Sequence, residues 1–155
     1  MNFKYWVGIS LLLSIVSCKM EDEKVAKEIV NTEDAPKALG PYNQSVRFGD
    51  IVFISGQIAI DPISGEVKKE LDIQGETIQV LENHRAILKA HGLTFDDVLK
   101  ADVFVTNMEN YSKFNSIYAE YFLDSTAPAR VLVEVAALPA GVEVEIALTA
   151  GIDNN

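Results

Sequence analysis

A chain of 155 residues, 48% hydrophobic and 23% charged, has the composition of one globular domain rather than of a disordered segment. Its formal net charge of −10 disfavours the phosphate backbone of nucleic acid as a partner, although one buried arginine can still hold a small anion. A single cysteine, Cys18, excludes an internal disulfide, and the two histidines, His84 and His91, leave no Cys/His set with zinc-ligand spacing.

Residues 1–17 read as an address rather than as structure. Lys4 precedes an apolar run from Tyr5 to Val16, which is too short to cross a bilayer core of about 30 Å as a helix. Ile15-Val16-Ser17-Cys18 resembles a bacterial lipobox, in which cleavage falls before the cysteine and its thiol carries a diacylglyceryl group. The alternative is an ordinary secretory signal with an incidental cysteine. Residues 18–29 read as an acidic tether, leaving residues 30–155 as the domain. Lys19 followed by acids also looks like a surface-export signal, or equally a plain spacer. The expected location is the bacterial cell envelope, with the protein held at the membrane through Cys18, on the periplasmic face or the cell surface.

Val46–Phe48 and Ile51–Ser55 predict two strands joined by a Gly49-Asp50 turn, and Gly56–Ile60 extends the sheet region. Asp61–Gly65 has turn chemistry, and Glu66–Lys68 is expected as a short third strand. From Asp72 to Ala90, apolar residues recur at spacings of three and four, with Asp72 placed as N-cap and Gly92 just past the end. Val98–Thr106 predicts a strand, and Ser112–Phe122 a second helix capped by Asn110 or Ser112. Arg130–Ala136 and Val142–Ala150 close the chain as strands. His84 and His91 are expected at the helix surface or cap. The order is βββαβαββ, an α/β (α+β) two-layer sandwich with both helices on one face of a mixed sheet.

Alternation in the last strands sends Val142, Val144, Ile146 and Leu148 toward the helices and Glu143, Glu145, Ala147 and Thr149 away from them. Leu132, Glu134 and Ala136 are expected to join that second set, opposite Val131, Val133 and Val135. Such a face is too apolar for open water and too charged for a dry core. It suits a subunit interface with polar sites set into it.

Six motifs then fall in order: Gly40-Pro-Tyr42, Ile54-Ser-Gly-Gln57, Leu81-Glu-Asn83 with Ala90-His-Gly92, Phe114-Asn-Ser-Ile-Tyr118, Ala127-Pro-Ala-Arg130 and Val144-Glu-Ile146. In order and spacing the chain from Asn31 to Ile152 resembles the RidA-type reactive-intermediate (imine/enamine) deaminases. The resemblance implies a chorismate-mutase-like fold and a barrel-like homotrimer with three clefts between subunits. It also implies hydrolysis of 2-imino acids (2-iminobutanoate, 2-iminopropanoate) or enamines of the 2-aminoacrylate type to 2-keto acids and ammonia, with neither metal nor organic cofactor. Carried over by position, Arg130 binds the substrate carboxylate, Glu145 positions the attacking water, and Tyr42, Ser55 and Asn115 line the cleft.

The chemistry is consistent with those residue types. An imine carbon is already electrophilic, so a site need only orient it and deliver water. A guanidinium fork fixes the plane of a carboxylate, and a nearby carboxylate can take a proton from water. Each residue also has a plainer reading: Arg130 or Glu145 in an ion pair, Tyr42 and Asn115 as structural groups. Two positions depart from the family. Leu132 stands where many relatives carry cysteine, and Ala147 where a second acid often follows Glu145. The competing functions are a non-catalytic binder of small carboxylates at the trimer clefts and a ribonuclease, the latter disfavoured by the charge.

Overall fold

The computed structural model describes residues 26–153; Cys18, the leader and most of the acidic stretch lie outside them. Six strands form one sheet: β1 (Lys27–Val30), β2 (Ser45–Phe48), β3 (Ile51–Gln57), β4 (Val98–Val105), β5 (Ala129–Glu134) and β6 (Val144–Gly151). Their order across the sheet is β1-β2-β3-β6-β4-β5, with β4 and β5 parallel and every other pair antiparallel. Parallel neighbours need a crossover. Helix α2 (Tyr111–Tyr121) supplies it between β4 and β5, and α1 (Ile73–Ala90) carries the chain from β3 to β4.

Helix α1 forms for the reasons its residues suggest. The Asp72 side chain accepts from the Gly75 amide at 3.0 Å, satisfying one orphan donor of the first turn. At the other end Gly92, at φ +74°, lets the amides of Gly92 and Leu93 turn back to the carbonyls of Lys89 and Leu88. Between them Ile73, Thr77, Val80, Leu81, His84, Ile87 and Leu88 form one buried face. That face packs on Val52 and Ile54 of β3, Val103 and Val105 of β4, and Val144, Ile146 and Leu148 of β6, which together with Phe114 and Tyr118 of α2 make the core.

The element order βββαβαββ and the two-layer arrangement agree with the sequence reading, but its strands are not all the expected ones. Glu66–Lys68 forms no strand; Val67 makes a single bridge to Ile60. The third strand of the meander is instead β1, which begins at Lys27 inside the segment read as a tether and pairs Lys27 with Phe48. Helix α2 starts one residue earlier than expected, at Tyr111, and Asn110 stands at its N-cap without a side-chain bond.

Strand β5 also faces the other way. Its register sets Arg130 beside Ala101, Leu132 beside Val103, and Val131 beside Asp102. Ala101 and Val103 are buried under the helices, so Arg130 and Leu132 lie on the helix side, and Leu132 packs against the core. Val131 and Val133 point to the outer face, where they join Phe53 and Leu99 as exposed large hydrophobics. The outer face is therefore more apolar than the sequence reading made it. Lys100 and Asp102, paired at 2.7 Å, cross it as a charged rung.

His84 corrects a second expectation. It is wholly buried, and its Nε2 lies 2.8 Å from the Ile146 carbonyl, tying α1 to β6. Burial lowers its pKa to about 4, so the ring is neutral and donates from Nε2. His91 stands where expected, at the helix C-cap, 2.8 Å from the Ser45 hydroxyl.

Candidate functional site

The chain before β2 is folded back by one side chain. The Gln44 amide nitrogen donates to the carbonyls of Thr32, Ala35 and Pro36 at 3.0, 3.1 and 2.8 Å, and its oxygen accepts from the Thr32 amide at 2.7 Å. Gln44 is almost fully buried, so these bonds satisfy groups that water cannot reach. On the far side, Asn83 of α1 donates to the carbonyls of Ile58 and Ile60 at 3.2 and 3.0 Å and holds the segment after β3. Between these braced segments lies a cleft of about 320 Å³, walled by Pro36, Leu39, Ile58, Ile60 and Pro139, with Tyr42, Ser55 and Glu145 among its polar groups.

Each of those polar groups is positioned locally. The Tyr42 hydroxyl accepts from the Leu39 amide at 3.1 Å, which leaves its own proton free to donate. The Ser55 hydroxyl donates to the Asn43 carbonyl at 2.7 Å, leaving its oxygen as an acceptor. Beside Ser55 the β3–β6 register shifts, so that Ile54 faces Leu148 but Gln57 faces Ile146. The extra residue of this bulge brings Gly56 directly under Glu145. A Cβ on Gly56 would collide with the carboxylate Oε1 and stand 2.9 Å from its carboxyl carbon. A glycine within a strand pattern is the sequence signal for such an approach, and it stands in the Ile54–Gln57 motif.

Glu145 is half-buried, and its carboxylate makes no hydrogen bond or ion pair among the described residues. Burial alone raises its pKa above the ordinary carboxylate range. The start of its strand is anchored by Glu76, which is buried and accepts from the amides of Glu143 and Val144 at 2.7 and 3.2 Å. Glu76 was not singled out from the sequence; its only mark there is an acid in the first turn of α1.

Arg130 and Asn115 come together elsewhere. Nη1 of Arg130 donates to the Asn115 side-chain oxygen at 3.0 Å and Nη2 to the Tyr111 hydroxyl at 3.3 Å. The guanidinium carbon lies 4.6 Å from the centre of the Tyr118 ring and 5.9 Å from that of Phe114. No carboxylate pairs with it among the described residues. Tyr118, pushed up to about 12 chiefly by its burial, remains a neutral ring beneath the cation. The five sequence-predicted residues thus form two groups. Tyr42, Ser55 and Glu145 share the cleft, whereas Arg130 and Asn115 stand on the helix side of β5, outside its walls. Among the described residues no cluster of three or more His, Cys, Asp or Glu is arranged to hold a metal.

A small, mostly apolar cleft with one unpaired carboxylate, on a two-layer α+β domain, defines a site for a small organic molecule. The chain belongs to the Endoribonuclease L-PSP family, whose model matches residues 32–152. It is 51% identical over 120 residues to a RutC family protein of Pyrococcus horikoshii, covering 77% of this chain and 94% of that protein. It is 38% identical over 130 residues to Reactive Intermediate Deaminase A, chloroplastic, of Arabidopsis thaliana, covering 84% of this chain and 68% of that one. The crystal structure of E. coli TdcF with bound serine superposes with a TM-score of 0.75 at 39% identity, covering 81% of this chain and 99% of the other. The fold is that of the RidA-type proteins, and the family includes members named reactive intermediate deaminases.

Proposed function

We propose that the protein hydrolyses reactive 2-imino acids and their enamine tautomers to 2-keto acids and ammonia. One observation carries this reading: among the described residues Arg130 and Glu145 stand without an ion-pair partner, the first bonded only to neutral side chains and the second half-buried at the cleft. A structural ion pair would have joined them or given each a partner. Arg130 is left with donors for a substrate carboxylate, and Glu145 with oxygens for a water. Water attacks the imine carbon, forming the C–O bond as Glu145 takes its proton. The proton passes to nitrogen; the new hydroxyl then gives its own proton to the amino group by way of Glu145, the C–N bond breaks, and ammonia leaves as the carbonyl forms. Tyr42 and Ser55, with a free proton and a free lone pair, orient substrate and water.

Arg130 and Glu145 lie on opposite sides of the sheet, so the reaction needs Arg130 of one copy beside Glu145 of another. A homotrimer meets this need, and the outer face favours assembly: Phe53, Val131 and Val133 are exposed there at 53%, 41% and 39%. Cys18 as a lipid anchor would place these trimers at the cell envelope. RNA is a poor substrate for a chain of net charge −10.

The test is turnover of imines generated in situ by an amino-acid oxidase, followed as loss of the semicarbazone formed with trapping semicarbazide. The protein should begin no later than Ala26 so that β1 is kept. Acceleration of keto-acid formation supports the reading. Binding of keto acids without acceleration would leave the non-catalytic carboxylate binder instead.

A further inference from the structure

Among the described residues, every side chain that the Arg130 guanidinium hydrogen-bonds or lies over comes from α2. Tyr111, Phe114, Asn115 and Tyr118 stand at i, i+3, i+4 and i+7, the spacing that places residues on one helix face. Phe114 and Tyr118 offer ring faces and Asn115 an oxygen. Tyr111 differs from them. A guanidinium has only donors, so in its 3.3 Å contact with Nη2 the phenol oxygen accepts, and the phenol proton stays free for another acceptor. Tyr111 is 42% exposed, whereas Tyr118 is 6% exposed and its hydroxyl has no partner among the described residues. Of the two phenols beside the cation, Tyr111 is the one open to a ligand.

We infer that Tyr111 is a further substrate-binding residue, donating its O–H to the same carboxylate that Arg130 grips. The inference rests on the carboxylate-binding role proposed for Arg130. Two carboxylate oxygens offer about four lone-pair sites, enough for a guanidinium fork and a phenol together. The cation that the phenol oxygen accepts from polarises its O–H and strengthens it as a donor toward an anion. A carboxylate held from three N–H or O–H groups cannot rotate about its C–C bond. The conjugated C=N beside it is then presented to water in one plane. Tyr111 therefore acts on binding and orientation, not on proton transfer.

The experiment titrates 2-oxobutanoate into the wild-type protein, Tyr111→Phe and Arg130→Ala by calorimetry, with imine turnover measured in parallel. Tyr111→Phe keeps the ring and removes only the hydroxyl, and thermal melting confirms that it folds. The expected result is binding weakened by about tenfold in Tyr111→Phe and lost in Arg130→Ala. In turnover, Tyr111→Phe should raise KM by a larger factor than it lowers kcat, a split that a merely structural tyrosine would not produce. Wild-type affinity and KM in Tyr111→Phe, with binding lost in Arg130→Ala, would overturn the inference and leave the role of Arg130 standing. Undiminished binding in Arg130→Ala, or no binding to the wild type, would overturn both.

Discussion

Arg130 and Glu145 lie on opposite faces of one sheet. In β4, Arg130 stands beside Ala101 and Glu145 beside Phe104, an odd number of residues apart on a strand whose side chains alternate. The hydrogen bonds of Arg130 to α2 and the contact of Glu145 with the β3 bulge confirm the two sides. In the proposed mechanism the two therefore act together only between chains. Neither charge has an ion-pair partner among the described residues of its own chain, which leaves each open to a ligand.

Gly56→Ala should separate the carboxylate from the fold. The new methyl group would displace Glu145, the end of a flexible side chain, and would leave the backbone of the bulge in place. Urea unfolding should show a stability change within about 1 kcal/mol, while kcat for imine hydrolysis falls by roughly 100-fold. Wild-type kcat in a folded Gly56→Ala protein would remove Glu145 from the mechanism.

Glu145→Gln should lose turnover and gain stability. Burial raises the folded-state pKa of Glu145 above its unfolded value. Its contribution to stability is therefore fully present below the ordinary carboxylate range and is lost as pH rises through the raised value. At pH 7 wild type carries the cost of a half-buried charge that glutamine lacks. Melting temperatures at pH 7 should be higher for Glu145→Gln, and the difference should vanish near pH 4. The wild-type rate should rise with pH through the same raised value as the base ionises.

Some of this was written plainly in the sequence and some could not be. Helix α1 was legible because Asp72, the apolar stripe and Gly92 agree with one another at every level. Strand β6 was legible because a strand central in its sheet, with one face in the core, alternates cleanly. Strand β5 was not: it is an edge strand with Val131, Leu132 and Val133 in succession, so alternation does not say which set faces the core. Strand β1, Lys27-Glu28-Ile29-Val30, is polar at its start because its residues are largely exposed, and it looked like a tether. The candidate site residues come from motifs, but their division between two faces depends on the β5 register.

His84 was the least legible residue, and it gives a pH signature. The folded value is lowered from 6.5 to about 4, so between those values the unfolded chain binds a proton that the folded chain refuses. Stability should therefore fall as pH drops through this window, by up to about 3 kcal/mol from this residue alone. Urea unfolding from pH 7.5 to pH 4.5 measures the slope. In His84→Leu the slope should flatten. His84→Ala should cost about 2–4 kcal/mol at pH 7, because it leaves both a cavity and an unpaired contact at Ile146. An unchanged slope in His84→Leu would show that other groups titrate there.

The division of the site makes its strongest prediction through mixed assemblies. Arg130→Ala and Glu145→Gln should each be nearly inactive alone. When the two are unfolded together in equal amounts and refolded, a cleft is intact only if the chain giving Arg130 is the Glu145→Gln variant and the chain giving Glu145 is the Arg130→Ala variant. Each choice has even odds, so about a quarter of the clefts should work, and turnover should recover to about a quarter of the wild-type value. Arg130→Lys in place of Arg130→Ala should give a similar recovery, because a lysine cannot hold a carboxylate plane and its own clefts stay poor. A site built within one chain predicts no recovery in any mixture, since every chain then carries a broken site. Chains mixed without unfolding serve as the control and should stay inactive while the assemblies do not exchange. Recovery in the refolded mixture and not in the control would place Arg130 and Glu145 of different chains in one cleft.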